Sequence, residues 1–399
     1  MFSSRRNSRL VPGILLALVL VVVGIWLGGH PGWMPTPLRN ALTDNSGAQI
    51  VNEELSMIAR DYYRPINRTQ LVNKGLAAMV ASLNDPYSRY YSPSAYRSFL
   101  DESNPHLNGI GIDVVPDPRG LMVVDVFSGS PAATAGLTHG DVITKVGGTP
   151  LSGRSSTFAQ NLIRGPAGTR IVLTVIRNGK NHVIPIRRAN LVVPVASESL
   201  VNYHGVKIGD LALTAFNDGS GAELRTQVDK ALRAGAQALV LDLRENGGGL
   251  LNEAVNVASI FIPDGTIVST SGRSQPRQVY LATGNAISTK IPVVVLVDHD
   301  TASAAEIVTG ALKEQDRAKV VGTHTYGKGV FQEIEPMSNG GALDITVGEY
   351  FTPNGQNLGG GGVIEGRGIT PNVYAVTQPG AATDHALSVA ERVVAAEVR

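Results

Sequence analysis

IPVVVLVDHDTASAAEIVTGAL, residues 291–312, reads as a buried strand that turns sharply into a helix. Five Val and Leu residues end in acidic and polar ones, and Ser303 then opens a strongly helical stretch. A serine at the exit of a buried strand, on the first turn of a helix, is placed to attack a carbonyl. The blander reading makes Thr301 or Ser303 a helix cap.

Downstream, Thr325–Gln332 (TYGKGVFQ) sets Lys328 between two glycines. A serine hydroxyl is a weak nucleophile and needs a base within hydrogen-bond reach. Lysine can serve only when neutral, and its usual pKa of about 10.4 leaves almost none neutral near pH 7. Burial can lower that value by about 3–5 units. Tyr326, Val330 and Phe331 supply apolar or aromatic neighbours, and the nearest acids in sequence are Glu333 and Glu335. By itself a Gly-Lys-Gly is more often a solvated loop.

Upstream, Gln237–Ile262 (QALVLDLRENGGGLLNEAVNVASIFI) reads as a strand over Ala238–Leu243, a loop Asn246-Gly247-Gly248-Gly249, and an amphipathic helix from Leu250. Three glycines leave backbone N–H groups uncovered beside the positive end of a helix. That suits an oxyanion hole, with the Ala304 N–H as a second donor. A nucleotide site is disfavoured, because the loop has neither a P-loop ending nor a dinucleotide fingerprint. Histidine is the rival base: His299 and His324 lie near these motifs, with Asp298 and Asp300 at hand. Glu306, one helical turn beyond Ser303, is read as structural.

Together, LDLRENGGGLL, TASAAEIVTGAL, GKGVFQ and YFTPNGQ resemble the C-terminal processing peptidases (tail-specific proteases), and LNDPYSRYYSP at Leu83–Pro93 resembles that family's signature ahead of a PDZ domain. The similarity covers about residues 50 to 373. It implies Ser303 as nucleophile, Lys328 as general base, Gln332 as the residue orienting that lysine, and an oxyanion hole from the N–H groups of Gly248 and Ala304. It also implies a crotonase-like core that needs neither cofactor nor metal.

At 399 residues and 43% apolar content the chain can build two or three domains. Its 34 basic and 33 acidic residues nearly cancel, giving no reason to propose nucleic acid. With no cysteine, disulfides, thiol catalysis and thiolate metal sites are excluded. Arg5, Arg6 and Arg9 precede the uncharged run Val11–Gly28, long enough as a helix to span about 27 Å. The expectation is an uncleaved single-pass anchor in a bacterial cytoplasmic membrane, with the catalytic part extracytoplasmic. Cleavage as a signal peptide is disfavoured by Trp26, His30, Pro31 and Trp33.

The expected class is mixed α/β (α+β) in four parts: 1–37, a cytoplasmic basic tip, anchor and linker; 38–103, a helical segment; 104–190, a PDZ domain; and 191–399, the peptidase core with a C-terminal helix. Strands at Val206–Leu213, Ala238–Leu243 and Ile291–Val297, each followed by helix-like sequence, argue α/β for that core. Short strands and turns from about His106 to Arg188 resemble a PDZ fold. Backbone N–H groups around Asn108, Gly109 and Ile110 are suited to hold a substrate's C-terminal carboxylate, while the next strand pairs with the extended tail. Arg119, Arg164 and Arg177 are taken as solvated. The C-terminal helix is suited to dock or to join copies in a homo-oligomer.

The leading expectation is thus a membrane-anchored serine endopeptidase acting on flexible protein tails. Its rival is an inert PDZ-bearing membrane adaptor. A third reading has the PDZ domain gate the Ser–Lys pair.

Overall fold

The computed structural model describes residues 46–102, 106–127, 129–192, 194–378 and 380–398. The anchor expected at residues 11–28 lies outside them. Among the described residues, no helix is long and apolar enough to cross a membrane.

Two units emerge, divided after Ser82. In the first, α1 (Ser46–Asp61) is followed by α2 (Arg68–Ala81), whose N-cap Asn67 accepts a hydrogen bond from the Gln70 N–H. In the second, β1 (Arg89–Tyr91) and α3 (Pro93–Glu102) lead into β2 (His106–Gly109). The strand β1 interrupts a stretch that the sequence pattern assigns to helix. Its three residues are too short a run to register against the helical signal on either side.

The PDZ module comprises β3 (Ile112–Asp117), β4 (Gly120–Val126), α4 (Pro131–Thr134), β5 (Val142–Val146), β6 (Thr149–Pro150), α5 (Ser156–Ile163), β7 (Arg170–Arg177) and β8 (Lys180–Arg187). Its sheet runs β3-β4-β5-β7-β8, with β6 on β5. Ser130 and Ser155 cap α4 and α5 by accepting from Ala133 and Phe158 N–H. Leu121, Val123, Ile143, Leu173 and Val175 fill the core. Arg177 is not a solvated cation. It grips the buried carboxylate of Asp141 through two hydrogen bonds, at 2.7 and 2.6 Å. β9 (Ala189–Val192) closes the module by pairing antiparallel with β2.

Next come β10 (Ala196–Tyr203), β11 (Val206–Leu213), α6 (Ser220–Arg233), β12 (Ala238–Asp242), α7 (Leu251–Ser259), β13 (Thr266–Ser271), β14 (Gln278–Leu281), β15 (Val293–Val297) and α8 (Ala304–Glu314). The chain ends with β16 (Lys319–Gly322), β17 (Val330–Pro336), β18 (Ala342–Phe351), β19 (Val373–Tyr374) and α9 (His385–Ala395). One sheet has the order β10-β11-β12-β15-β16-β19, parallel from β11 onward. Both its faces are covered. Leu239, Leu241, Val293 and Val295 pack with residues of α6, α7 and α8, while Ala238, Val240, Val294 and Leu296 pack with Ala386, Val389 and Ala390 of α9. That double burial is why β15 reads as an unbroken apolar run. Truncating its Leu296 to alanine costs about 2–5 kcal/mol.

A second sheet carries β1-β18-β13-β14, with β17 along the other side of β18. The molecule is therefore mixed α/β with a PDZ module between β1 and the six-stranded sheet, as the sequence leads one to expect.

Candidate active site

The turn from β15 into α8 sets the first element. The Thr301 hydroxyl donates to the Leu243 carbonyl (2.8 Å) and accepts from the Asp298 N–H (3.0 Å), fastening the turn to the end of β12. Ser303 follows at φ +54° and ψ −116°, a strained conformation for a residue with a Cβ. Strain of this kind puts a side chain at the tip of a strand–helix elbow. Ser303 is 7% exposed.

The glycine loop closes on that elbow. Ala302 N–H donates to the Asn246 carbonyl (3.0 Å). Gly248 has φ +97°, and a Cβ there would stand 2.8 Å from Ala304 N, Ala302 O and Ser303 Cβ. Only glycine lets the loop lie so close. Gly248 and Ala304, both expected as oxyanion donors, thus flank Ser303. In this structure the Gly248 N–H donates to Asn246 Oδ1 at 2.9 Å, while Asn246 Nδ2 donates to the Leu213 carbonyl.

The lysine loop reaches the same place through its backbone. Tyr326 N–H donates to the Thr301 carbonyl (3.0 Å). Glu306, read from sequence as structural, is fully buried and accepts four hydrogen bonds. These come from Ser303 N–H (2.9 Å), Thr325 Oγ1 (2.5 Å), Gly327 N–H (2.7 Å) and Lys328 N–H (2.9 Å). Burial pushes its pKa up while these donors pull it down, leaving it above the usual carboxylate range. The Ser-x-x-Glu spacing of a capping box was the sequence signal for its first contact.

Lys328 is half-buried, and burial draws its amine below the ordinary lysine value. The charges of Asp344, Asp85 and Glu306 pull the other way, and Arg89 reinforces burial. The amine lies over the ring of Tyr87, 4.8 Å from its centroid. Tyr87 Oη is 2.9 Å from Tyr326 Oη. Asp85 accepts from Ser88 Oγ (2.6 Å), and Ser88 Oγ accepts from Thr346 N–H (3.0 Å). The Leu83–Pro93 motif thus builds the amine's surroundings, a role its sequence did not disclose.

Two expected contacts are not made. Among the described residues no hydrogen bond joins Ser303 Oγ to Lys328 Nζ. Gln332 sits at a bulge in β17 and donates to Thr346 Oγ1 (3.0 Å) rather than to the lysine. Lys328 lies before β17, in an isolated bridge with Val363, whereas Gln332 faces Thr346 across the β17–β18 pair. The rival base His299 is half-exposed, with Nε2 3.2 Å from Glu365 Oε1. His324 is exposed beside Thr370.

In the PDZ module, Gly109, Ile110, Gly111, Gln160, Ile163 and Arg164 line a groove of about 250 Å³ between β3 and α5. Asn108 lies in β2 opposite Asn190, so its backbone belongs to the β2–β9 ladder.

Residues 207–375 match peptidase family S41, residues 108–187 match the PDZ domain, and residues 38–94 match the activating protease CtpB N-terminal domain. The chain is 32% identical over 363 residues to a "Probable CtpA-like serine protease" of Staphylococcus haemolyticus, covering 90% of this chain and 71% of that one. Over 333 residues it is 33% identical to a protein of the same description from Staphylococcus aureus, covering 83% of this chain and 65% of the relative. Among solved structures, the photosystem II D1 C-terminal processing protease is 28% identical with a TM-score of 0.50, covering 83% of this chain and 87% of that one.

Proposed function

The chain belongs to peptidase family S41, as a C-terminal processing serine peptidase with a PDZ domain, and from that premise we propose that it is a bacterial, membrane-anchored endopeptidase working by a Ser303–Lys328 acyl-enzyme mechanism. A flexible protein tail enters the PDZ groove, its carboxylate meeting the N–H groups around Gly109 and Ile110 and its backbone extending β3. Ser303 Oγ attacks the scissile carbonyl as neutral Lys328 takes its proton. The Ala304 N–H and the Gly248 N–H, once released from Asn246, hold the oxyanion. Lys328 then protonates the leaving amine, and water resolves the ester with the same lysine as base. The uncharged run Val11–Gly28 serves as the anchor, with the catalytic part outside the cytoplasm.

One observation carries this reading. The strained Ser303 elbow is flanked by Gly248 on one side and, through Glu306, by the Lys328 backbone on the other. Purified protein incubated with β-casein tests it. Ser303→Ala and Lys328→Ala should each abolish cutting while tail binding survives, and His299→Ala and His324→Ala should cut normally. Cutting by Ser303→Ala at the parent rate refutes the nucleophile. The inert adaptor predicts no cutting by the parent protein.

A second reading, a resting enzyme gated by tail binding, is favoured by the amine lying on Tyr87 and by the Gly248 N–H held by Asn246. A tail that binds the assembled arrangement better shifts the population toward it. A non-cleavable tail peptide should then raise turnover of a short substrate, and unchanged turnover rejects the gate.

A further inference from the structure

Resting on the Ser303–Lys328 reading, we propose that Glu306 is a positioning residue whose carboxylate holds the nucleophile and the base segment in one register. Its oxygen Oε2 accepts from the amide of Ser303 and from the amide of Lys328, each at 2.9 Å. Two nitrogens on one oxygen can be no further apart than twice that distance. The other oxygen, Oε1, takes the Thr325 hydroxyl and the Gly327 amide, which begin and continue the lysine loop.

A helix cap alone does not account for this arrangement. Capping uses the Ser303 amide; the other three donors belong to residues 325–328, across the fold from α8. Four donors occupy the four lone-pair positions of a carboxylate, leaving it no proton to give. It stays ionised in a fully buried place, which is costly unless the geometry is needed. Close packing adds a second observation. A Cβ on Gly368 would collide with both Glu306 Oε1 and Thr325 Oγ1, so only glycine there leaves room for the bonded pair.

Glutamine has almost the same shape but offers only one acceptor oxygen. Its amide N–H₂ would face either the Ser303 and Lys328 amides or the Thr325 hydroxyl and Gly327 amide, so one pair of donors loses its acceptor. If Oε2's place becomes the amide nitrogen, the Ser303 and Lys328 amides both lose their partner. A misplacement of about 1 Å between reacting groups costs on the order of 100-fold in rate. The charge also matters: it favours the protonated lysine, alongside Asp344 and Asp85 and against Arg89. Removing it moves the acid limb of the rate profile to lower pH.

The test uses the full-length chain and labelled β-casein, with Glu306→Gln, Thr325→Val, Thr325→Ser and Ser303→Ala variants checked for a cooperative melt. We expect Glu306→Gln to lose about 100-fold in kcat with KM within about twofold and the acid limb at lower pH. Thr325→Val should lose kcat by a smaller factor, and Thr325→Ser should restore it. A folded Glu306→Gln with parental kcat overturns the proposal. If that variant does not fold, Thr325→Val decides: a parental kcat, or a loss confined to KM, overturns it. Parental cutting by Ser303→Ala overturns the nucleophile itself and the positioning role with it, whereas an inert Ser303→Ala beside a fully active Glu306→Gln overturns the positioning role alone.

Discussion

Gly247 and Gly248 are neighbours in one loop, yet alanine at the two should have opposite consequences. A Cβ at Gly248 would lie 2.8 Å from Ala304 N, Ala302 O and Ser303 Cβ, and its φ of +97° disfavours any side chain. Ordinary van der Waals separation requires the loop to retreat by roughly 0.7 Å or more from the elbow. That motion carries the Gly248 N–H away from the oxyanion position. Loss of one such donor costs about 2.7–4 kcal/mol, or about 100- to 1000-fold in kcat. Backbone strain adds about 1–2 kcal/mol to the destabilisation. At Gly247 a Cβ meets nothing within 4 Å and φ is not positive. Gly247→Ala should leave kcat within about threefold and raise stability by about 0.4–1 kcal/mol, by restricting the unfolded chain. The assay is β-casein turnover for both variants, with urea unfolding to separate activity from fold. Equal losses in the two variants, or parental kcat in Gly248→Ala, would refute the placement of this loop as the oxyanion site.

Other outcomes follow from the charges. The charge of Asp344 pulls the Lys328 pKa upward against burial, so Asp344→Asn should shift the acid limb of kcat/KM to lower pH; an unmoved limb counts against Lys328 as the base. Because the folded protein depresses the lysine's pKa, its charge costs stability below that folded value, and the cost is relieved as pH rises through it toward 10.5. Lys328→Met should therefore be inactive yet more stable by about 1 kcal/mol at pH 7, the gain narrowing in alkali; differential melting across pH reads this directly. Asp384 caps α9 and, although partly buried, is held at about 2 by Arg244 and Thr377. That lies below its ordinary 3.8, so its contribution is full above about pH 4 and is lost as pH falls through 2. Asp384→Asn should cost about 1 kcal/mol at pH 7, after screening, and nothing below pH 2 in an acid-unfolding series.

The parallel core was legible because β12 and β15 are short apolar runs ending at an acid, each followed by a 3.6-residue periodicity. Val206–Leu213 coincides with β11, and Ala238–Leu243 and Ile291–Val297 fall within one or two residues of β12 and β15. The strands β13 and β14 were not legible. Their residues mix polar and apolar character, and what holds them is pairing with each other and with distant β18. Ser303, Gly248 and Ala304 were legible as neighbours because strand–turn–helix local geometry brings each to the same edge of one sheet. The surroundings of the lysine were not. Tyr87 and Asp85 come from one segment far upstream of Lys328 and Asp344 from β18 downstream of it, and no local period announces such an encounter. Glu306 was visible as a capping spacing, but its three contacts with residues 325–328 depend on a loop trajectory that sequence does not encode locally.

Arg89 and Asp344 are register partners in adjoining strands, with the whole PDZ module and strands β10, β11, β12, β15 and β16 lying between them along the chain. During synthesis from the N-terminus, β1 must wait, unpaired, until nearly all of the polypeptide has emerged. The ring that receives the lysine amine therefore gains its seat late, after the serine elbow has been made. A growing chain carries its cutting edge unfinished until its own final third is present.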